Sequence, residues 1–341
     1  MIMMKAVGLK EYLPIDDRNS FLDLEIEKPH DLKPRDLLVE VKAVSVNPVD
    51  IGARSPKDST IKDYRILGWD ASGVVTEVGE NCSLFEIGDE VFYAGALERS
   101  GTNAQYHIVD ERIVGRKPKN LDFANAAALP LTSLTAWESM YDRMNIDKSK
   151  DAGKTILIIN CAGGVGSVAI QLAKMSGLKV LATASKDESI EWIKSLGADE
   201  VINHHFSLSE QLAELGLSGT DYILNLYSTE KNWDEMCKII NPEGHITSIT
   251  RLNKPVNLGV LMDKSVSFHW ELMFTRAKYE TSDMVRQHEI LNDIANLIET
   301  NQLTPTLKRE FSPINAENMR KVHALIESGN SIGKVVLSDF Q

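Results

Sequence analysis

A glycine cluster between an apolar strand and a helix is the stretch of this sequence best suited to bind a ligand. Residues 154–160, KTILIIN, form a continuous apolar run, and residues 167–177, SVAIQLAKMSG, have helical periodicity ending at a glycine. Glycines allow a tight turn and let backbone N–H groups approach a pyrophosphate, while the helix N-terminus adds partial positive charge. This context predicts that a dinucleotide binds the residues of the turn, which are Ala162, Gly163, Gly164, Val165 and Gly166.

Cys161 stands where the dinucleotide fingerprint has its first glycine. A tight strand–helix turn without a ligand is the alternative interpretation, and Cys161 slightly favours it. A small residue at this place does not have to block the turn, so dinucleotide binding remains the prediction.

The end of the next strand indicates which dinucleotide binds. The run KVLATA (179–184) is followed by Ser185 and Lys186, at the place where an NAD site has an Asp or Glu for the ribose 2′-hydroxyl. A hydroxyl and an ammonium suit a 2′-phosphate, which a carboxylate would repel. We therefore predict NADPH as cofactor in preference to NADH, with a solvated Lys186 in the first turn of a helix as the alternative.

Strand and helix patterns alternate from about residue 131 onwards. This alternation predicts an α/β fold with a doubly wound parallel sheet. Tyr227 ends one of the strands, in ILNLYS, at the sheet edge where dinucleotides bind. A contact between Tyr227 and the cofactor is therefore predicted.

The first part of the chain has a different sequence pattern. Residues 1–130 contain short Val-rich runs bounded by Gly, Pro and Asp, which are typical of a curled β domain. The tail, residues 304–341, returns to a strand–helix–strand pattern and is expected to complete that first domain. The predicted domains are therefore 1–130 with 304–341, and 131–303.

Composition excludes several classes of partner. The chain has 341 residues and a formal net charge of −12 at pH 7, without a basic stripe, so no nucleic acid is expected as partner. No apolar run approaches the ~20 residues of a spanning helix, and the N-terminus lacks a signal-peptide pattern, so no membrane is expected either. Three cysteines without CxxC spacing suit a reducing compartment. A cytoplasmic protein is expected.

Five segments spread over nearly the whole chain have a specific resemblance. In order and spacing they resemble the medium-chain dehydrogenase/reductase superfamily, in its zinc-independent quinone oxidoreductase branch. SFHWELMFTR and GKVVL in the last third further resemble a bacterial subgroup usually named zinc-type alcohol dehydrogenase-like. The resemblance implies a GroES-like catalytic domain, a Rossmann domain, a cleft between them and, frequently, a homodimer. The segments are VSVNPVDIGAR (44–54), ILGWDASGVVTEVGENCSLFEIGDEV (66–91), ALPLTSLTAWESM (128–140), AGGVGSVAIQLAK (162–174) and LGADEVIN (196–203).

The subgroup's name implies a zinc site, and the expected ligand positions can be checked against this sequence. Where zinc alcohol dehydrogenases have an early Cys ligand, this chain has Asn47, and in place of their Gly-His-Glu motif it has Gly68-Trp69-Asp70. Glu138 is the only acid near the place of the third ligand, and residues 83–160 contain no group of four cysteines for a structural zinc. Zinc prefers Cys and His, so we expect no catalytic metal.

Without zinc, the substrate itself must spread the charge that develops during hydride transfer. Quinones and α,β-unsaturated carbonyl compounds do so, and we expect the protein to transfer hydride from NADPH to such a molecule. The resemblance implies that Asn47 lies near the nicotinamide, oriented by Asp50, and that Thr135 lies against the cofactor. Trp69 is interpreted as a wall of the substrate cleft or, equally, as a core residue.

Two other functions remain open at this point. One is a zinc-type alcohol dehydrogenase, and the other is an NADPH-binding protein with little turnover, as some relatives of this fold are. The apolar run 265–274 is predicted to be a strand at the sheet edge that pairs with its twin in a homodimer.

Overall fold

The computed structural model describes residues 2–340. The chain divides into two compact units, one formed by residues 2–131 with 274–340 and the other by Thr132–Met273. Within the described range, no helix is both long and apolar enough to cross a lipid bilayer.

Strands and helices follow the periodicity of the sequence. The strands are, in chain order, β1 (Met3–Leu9), β2 (Leu22–Glu27), β3 (Asp36–Ser45), β4 (Arg65–Ile66), β5 (Ala71–Val78), β6 (Glu90–Tyr93), β7 (Tyr106–Asp110), β8 (Val114–Arg116), β9 (Thr155–Ile159), β10 (Lys179–Thr183), β11 (Glu200–Ile202), β12 (Thr220–Asn225), β13 (Ile240–Ser248), β14 (Ser267–Trp270), β15 (Leu307–Phe311) and β16 (Lys334–Ser338). The helices are α1 (Pro48–Arg54), α2 (Phe123–Ala127), α3 (Pro130–Trp137), α4 (Gly164–Met175), α5 (Asp187–Ser195), α6 (Leu208–Glu214), α7 (Thr229–Ile239), α8 (Thr275–Lys278), α9 (Arg286–Glu299) and α10 (Ala316–Glu327). A π-helical turn, Glu138–Arg143, continues α3, and 3₁₀ turns cover Glu111–Ile113 and Leu258–Lys264.

The first unit is built on two sheets. A three-stranded sheet has the order β2-β1-β4, and a seven-stranded sheet has the order β15-β16-β3-β5-β6-β8 with β7 paired to β3. The two strands of the tail join this larger sheet, since β16 runs antiparallel to β3 with Val336 opposite Ser45. Both strands of the tail, β15 and β16, therefore lie in the larger sheet of the first unit.

The second unit holds the doubly wound sheet that the sequence predicts. Its six strands have the order β11-β10-β9-β12-β13-β14, and every pair is parallel. Successive strands are added on one side of β9 up to β11 and on its other side from β12 onwards, and such sheets bind dinucleotides at this reversal of strand order. A buried apolar cluster under the sheet includes Leu157, Ile223 and Ile246. The α/β fold class is confirmed.

The second domain boundary differs from the predicted one. Residues 274–303 were expected in the Rossmann domain, but they belong to the first unit because α9 packs on β8. The His288 ring nitrogen Nδ1 lies 2.7 Å from Val114 O, and the Arg116 backbone N–H donates to the side chain of Asn292. The amphipathic pattern of α9 predicts a helix correctly but does not reveal which sheet the helix covers.

The strand predicted over residues 265–274 is shorter than expected. Only Ser267–Trp270 form β14, and Glu271 keeps one backbone bond to Ser248 O beyond the end of the strand. In the part of the chain that the structure describes, β14 pairs with β13 on one side only, so it is an edge strand as predicted.

Candidate active site

The glycine turn joins β9 to α4 in the second unit. Asn160 follows β9 in the left-handed region, with φ of 62°, and Gly163 caps the helix that begins at Gly164. A Cβ added at Gly166 would lie 2.1 Å from the carbonyl oxygen of Cys161. Only glycine therefore lets α4 start this close to the turn.

Cys161 fits the first position of the turn because its side chain points inward. The thiol is buried and donates to Thr183 O at 3.4 Å, and the neighbouring Asn160 N–H donates to Thr183 Oγ1 at 2.8 Å. Burial raises the pKa of Cys161 to about 12, so the thiol stays protonated. A cysteine here ties the turn to the end of β10 without filling the space above it.

The space outside the turn is open. A Cβ added at Gly163 would meet no atom within 4 Å, and the N–H groups of the first helical turn have no partner within the helix. Ser167 closes the inner side, since its hydroxyl donates to Gly163 O at 2.8 Å. These features fit the pyrophosphate of a dinucleotide.

Ser185 and Lys186 follow β10, as the sequence indicates. Ser185 is half-buried, while Lys186 is exposed and precedes the first residue of α5. Asp187 and Glu188 are exposed in the first turn of the same helix. The structure thus brings a hydroxyl, an ammonium and two carboxylates to one end of α5.

Tyr227 lies just beyond β12 and is exposed, with Lys231 Nζ 5.7 Å from the ring centroid. Beneath it lies a buried polar network that the sequence did not single out. Asn225 Nδ2 donates to Ser248 Oγ at 3.0 Å, and the hydroxyls of Thr229 and Ser248 lie 2.5 Å apart. These bonds hold the loops after β12 and β13 at the carboxyl edge of the sheet.

Thr135 lies in α3 of the second unit and is buried. Glu138 begins the π-helical turn after α3 and is buried close to Glu271, which follows β14. Burial raises the pKa of Glu271, and the nearby Glu138 raises it further, while Arg143 donates to it at 2.8 Å. Sequence patterns do not reveal this pair, because Glu138 and Glu271 are distant along the chain.

A buried polar centre lies in the first unit, where the loop after β3 meets the starts of β5 and β16. Asn47 donates its side-chain N–H to Asp70 Oδ2 at 2.7 Å, and Asp50 accepts the backbone N–H of Asn47 at 2.8 Å. Lys334 donates to Val46 O at 3.0 Å, to Asn47 Oδ1 and to Asp70 Oδ2 at 3.3 Å. The structure thus brings Asn47 and Asp50 together, and Lys334 is a member of the centre that the sequence analysis missed.

The charges of this centre are shielded from water. Asp70 is fully buried, and its second oxygen accepts the backbone N–H of Leu131 at 2.8 Å, at the start of α3. Burial lowers the pKa of Lys334, but the carboxylates of Asp70 and Asp50 act in the opposite direction. Burial raises the pKa of Asp50 to about 7, against the effects of the Asn47 N–H and of Lys334.

Trp69 is buried in the first unit. It is 2% exposed, its indole N–H donates to Ala96 O at 3.2 Å, and it makes an edge-to-face contact with Phe274. These contacts are the ones expected of a core residue, which is one of the two interpretations of Trp69. A role in walling the substrate site stays a prediction.

Comparison with known proteins identifies the family. The zinc-binding dehydrogenase family matches residues 164–296, and the alcohol dehydrogenase GroES-like domain matches residues 33–119. A zinc-type alcohol dehydrogenase-like protein of Staphylococcus epidermidis is 40% identical over 98% of this chain and 99% of its own length. The chain belongs to the medium-chain dehydrogenase/reductase superfamily.

Solved structures of this superfamily have the same fold. A Rhizobium etli CFN 42 protein assigned to the zinc-dependent alcohol dehydrogenases has a TM-score of 0.94 and 48% identity, over 99% of both chains. The quinone oxidoreductase from Coxiella burnetii has a TM-score of 0.81 and 25% identity, over 99% of this chain and 100% of its own. The present protein is therefore an oxidoreductase, and its fold implies a nicotinamide cofactor.

The zinc that gives several members of the superfamily their name does not fit the residues of this one. Both oxygens of Asp70 already accept hydrogen bonds, and the Lys334 ammonium, which would repel a metal cation, lies on one of them. Asn47 offers an amide in place of a thiolate, and Zn²⁺ prefers sulfur and imidazole nitrogen. Between residues 2 and 340, three or more His, Cys, Asp or Glu side chains are nowhere grouped to hold a metal ion.

Proposed function

We propose that this protein transfers hydride from NADPH to a quinone or an α,β-unsaturated carbonyl compound, without a catalytic zinc. The observation that carries the proposal is that Asn47 and Asp70, at the two places where zinc dehydrogenases have ligands, both accept a hydrogen bond from the Lys334 ammonium. An acceptor without Lewis-acid help must delocalise its own negative charge, and quinones and enones do this.

The chain's own residues have separate tasks in this proposal. Bound NADPH supplies the hydride. The Asn47 amide donates a hydrogen bond to the acceptor oxygen as that oxygen gains charge, and Asp50 holds the Asn47 backbone through the 2.8 Å bond. Thr135 contacts the cofactor and keeps it oriented. The proton that completes the reduction comes from solvent or from a weak acid.

Cofactor choice follows from the end of β10. In this proposal Ser185 and Lys186 bind the 2′-phosphate, the turn Ala162–Gly166 holds the pyrophosphate and Tyr227 contacts the cofactor from the end of β12. Lys186 is exposed and Ser185 half-buried, so both are within reach of a bound nucleotide. The neighbouring Asp187 and Glu188 would oppose a 2′-phosphate, which makes the Lys186 charge decisive.

The first experiment follows the absorbance of the reduced nicotinamide in chelator-treated enzyme, with an ortho-quinone and an enone as acceptors. NADPH and NADH are compared in parallel. Rapid loss of NADPH absorbance with slow loss of NADH supports the proposal. Turnover of an alcohol that requires added zinc would identify a zinc-type alcohol dehydrogenase, and tight NADPH binding without turnover of any acceptor would identify a binding protein.

The second experiment tests the cofactor site alone. Lys186→Ala should raise the Kd for NADPH by about 10- to 100-fold, the value of one charge-assisted hydrogen bond to phosphate, and leave the Kd for NADH unchanged. Lys194→Ala is the matched control, because Lys194 is exposed in the last turn of the same helix. Equal losses for both cofactors would refute the role of Lys186.

The homodimer is also a proposal. The β14 edge carries Trp270, which is 47% exposed, and Leu272 is exposed just beyond it. The adjacent 3₁₀ turn Leu258–Lys264 exposes further apolar side chains, those of Leu258, Val260 and Met262. An unpaired apolar edge favours aggregation unless something covers it, and a second copy of the same edge covers it symmetrically.

A further inference from the structure

Lys334 begins β16 and is the only member of the buried centre that comes from the tail of the chain. Its ammonium has three N–H bonds and three acceptors, which are Val46 O, Asn47 Oδ1 and Asp70 Oδ2. No donor is left over for a substrate. Any influence of Lys334 on a reaction therefore passes through the groups that it holds.

The main group that it holds is the Asn47 side chain. Its carbonyl oxygen accepts from the Lys334 ammonium, and one of its two N–H bonds goes to the Asp70 carboxylate. A flip of the amide would place oxygen against carboxylate and NH₂ against ammonium, so a single orientation is stable. In residues 2–340 no protein acceptor takes the second N–H bond, which leaves it for a substrate oxygen.

Charge balance adds a second effect. An uncompensated Asp70 carboxylate would oppose the negative charge that grows on the acceptor oxygen, and it would weaken the Asn47 amide as a donor. The ammonium neutralises this carboxylate and polarises the amide in the favourable direction. A metal ion in a zinc dehydrogenase supplies positive charge directly, whereas Lys334 supplies it through the carboxamide.

We propose that Lys334 is a positioning residue for the reaction: with Asp70 it fixes the Asn47 carboxamide so that one N–H bond points to the substrate oxygen. This inference rests on the proposed hydride transfer to a quinone or enone. The competing explanation is a purely structural ion pair that ties the tail to β3 and β5. Buried ion pairs can often be replaced by neutral groups with no loss of stability, so stability and catalysis can be separated.

The experiment uses the double variant Asp70→Asn/Lys334→Met, which removes both charges and avoids an unpaired one. Thermal unfolding, NADPH affinity by fluorescence, and kcat with an enone and with an electron-poor quinone are measured. We expect a Tm and an NADPH Kd near those of the wild type, with kcat for the enone lower by about 10- to 100-fold, as misplaced catalytic groups typically cause. The loss for the quinone should be smaller, because its reduced oxygen is less basic and needs the hydrogen bond less.

Two further measurements keep the inference falsifiable. Side-chain ¹⁵N resonances of Asn47 should move in the double variant, since the amide loses both charged partners. Asp70→Asn alone keeps one oxygen, which can accept the N–H of either Leu131 or Asn47, and leaves the Lys334 bonds to Val46 O and Asn47 Oδ1 in place. It serves if the double variant does not fold, and it should also lose enone turnover. The matched control is Glu317→Gln/Lys321→Met, which removes an exposed ion pair on α10.

The outcomes distinguish this inference from the proposed function. Wild-type turnover of the enone together with unchanged kcat in a folded charge-neutral variant overturns the role of Lys334 and leaves the proposed function intact. Equal losses for enone and quinone also overturn it, because a general structural defect produces them. Absence of any turnover in the wild type overturns both.

Discussion

Asp50 offers a measurable link between the buried centre and the stability of the first unit. Its carboxyl group accepts the Asn47 backbone N–H at 2.8 Å and is fully shielded from solvent. Burial raises its pKa from 3.8 to about 7, and the charged groups that act on it are Lys334 and Asp70. Between about pH 4 and pH 7 the folded protein keeps a proton on Asp50 that the unfolded chain has already released.

The sign and size of the effect follow from linkage. Because the folded-state pKa is the higher one, the folded state binds more protons, and stability is lost as the pH rises from about 4 to about 7. Between pH 5 and pH 7 only the unfolded chain has released this proton, so the free energy of unfolding falls over about two pH units. At 1.36 kcal/mol per unit the fall is about 2.7 kcal/mol. Asp50→Asn keeps an oxygen for the Asn47 N–H and does not titrate, so its free energy of unfolding should not fall over this pH range.

The assay compares urea unfolding of the wild type and Asp50→Asn at pH 5 and pH 8. Because the chain has two units, pulsed hydrogen exchange on peptides from β3 and β5 reports the first unit alone. At pH 5 the two proteins should be similarly stable, and at pH 8 the variant should be more stable by about 2 to 3 kcal/mol. Parallel pH dependences would show that Asp50 is ionised in the folded protein and would refute the reasoning.

Three other predictions concern separate parts of the chain. Gly166→Ala places a Cβ 2.1 Å from Cys161 O, so it should weaken NADPH and NADH binding alike and destabilise the second unit by about 1–3 kcal/mol; Gly163→Ala, with open space around it, should keep the Tm while still weakening both cofactors in the same fluorescence titration. His323→Leu should remove an acid-induced loss of about 2 kcal/mol between pH 6.5 and pH 5, because burial lowers the pKa of this unbonded ring to about 3; urea unfolding at the two pH values checks this, and an unchanged pH dependence would contradict it. Trp270→Glu should convert a dimer to a monomer in analytical ultracentrifugation, and a monomeric wild type would rule out pairing through β14.

The fold was largely predictable because its signals are local. An apolar run, a glycine turn and a helix with 3.6-residue periodicity identify β9 and α4 within 21 residues of sequence, and the same alternation predicts the parallel sheet. Which sheet α9 packs against was not predictable in this way. Its apolar stripe indicates that one face of the helix is buried, but Val114 and His288 are brought together only by the complete fold.

The candidate site was predictable where the chain itself brings residues together. Asn47 and Asp50 belong to one turn, so their proximity follows from the sequence alone. Lys334 is 264 residues from Asp70, and in the printed sequence it begins an ordinary Val-rich strand. A charge argument could have pointed to it, since a buried Asp70 without a metal needs a cation, but several lysines could have served.

The same charge requirement links the buried centre to the tail of the chain. A carboxylate buried beside Asn47 needs positive charge, and a bound metal would supply it by mass action, with a stability that depends on metal concentration. Lys334 supplies the charge as part of the chain itself, so no metal concentration enters. The centre therefore forms only when β16 has paired with β3 and its ammonium lies between Asn47 and Asp70. Assembly of the site is therefore tied to folding of the tail, and chelation should leave both untouched while removal of β16 should abolish both.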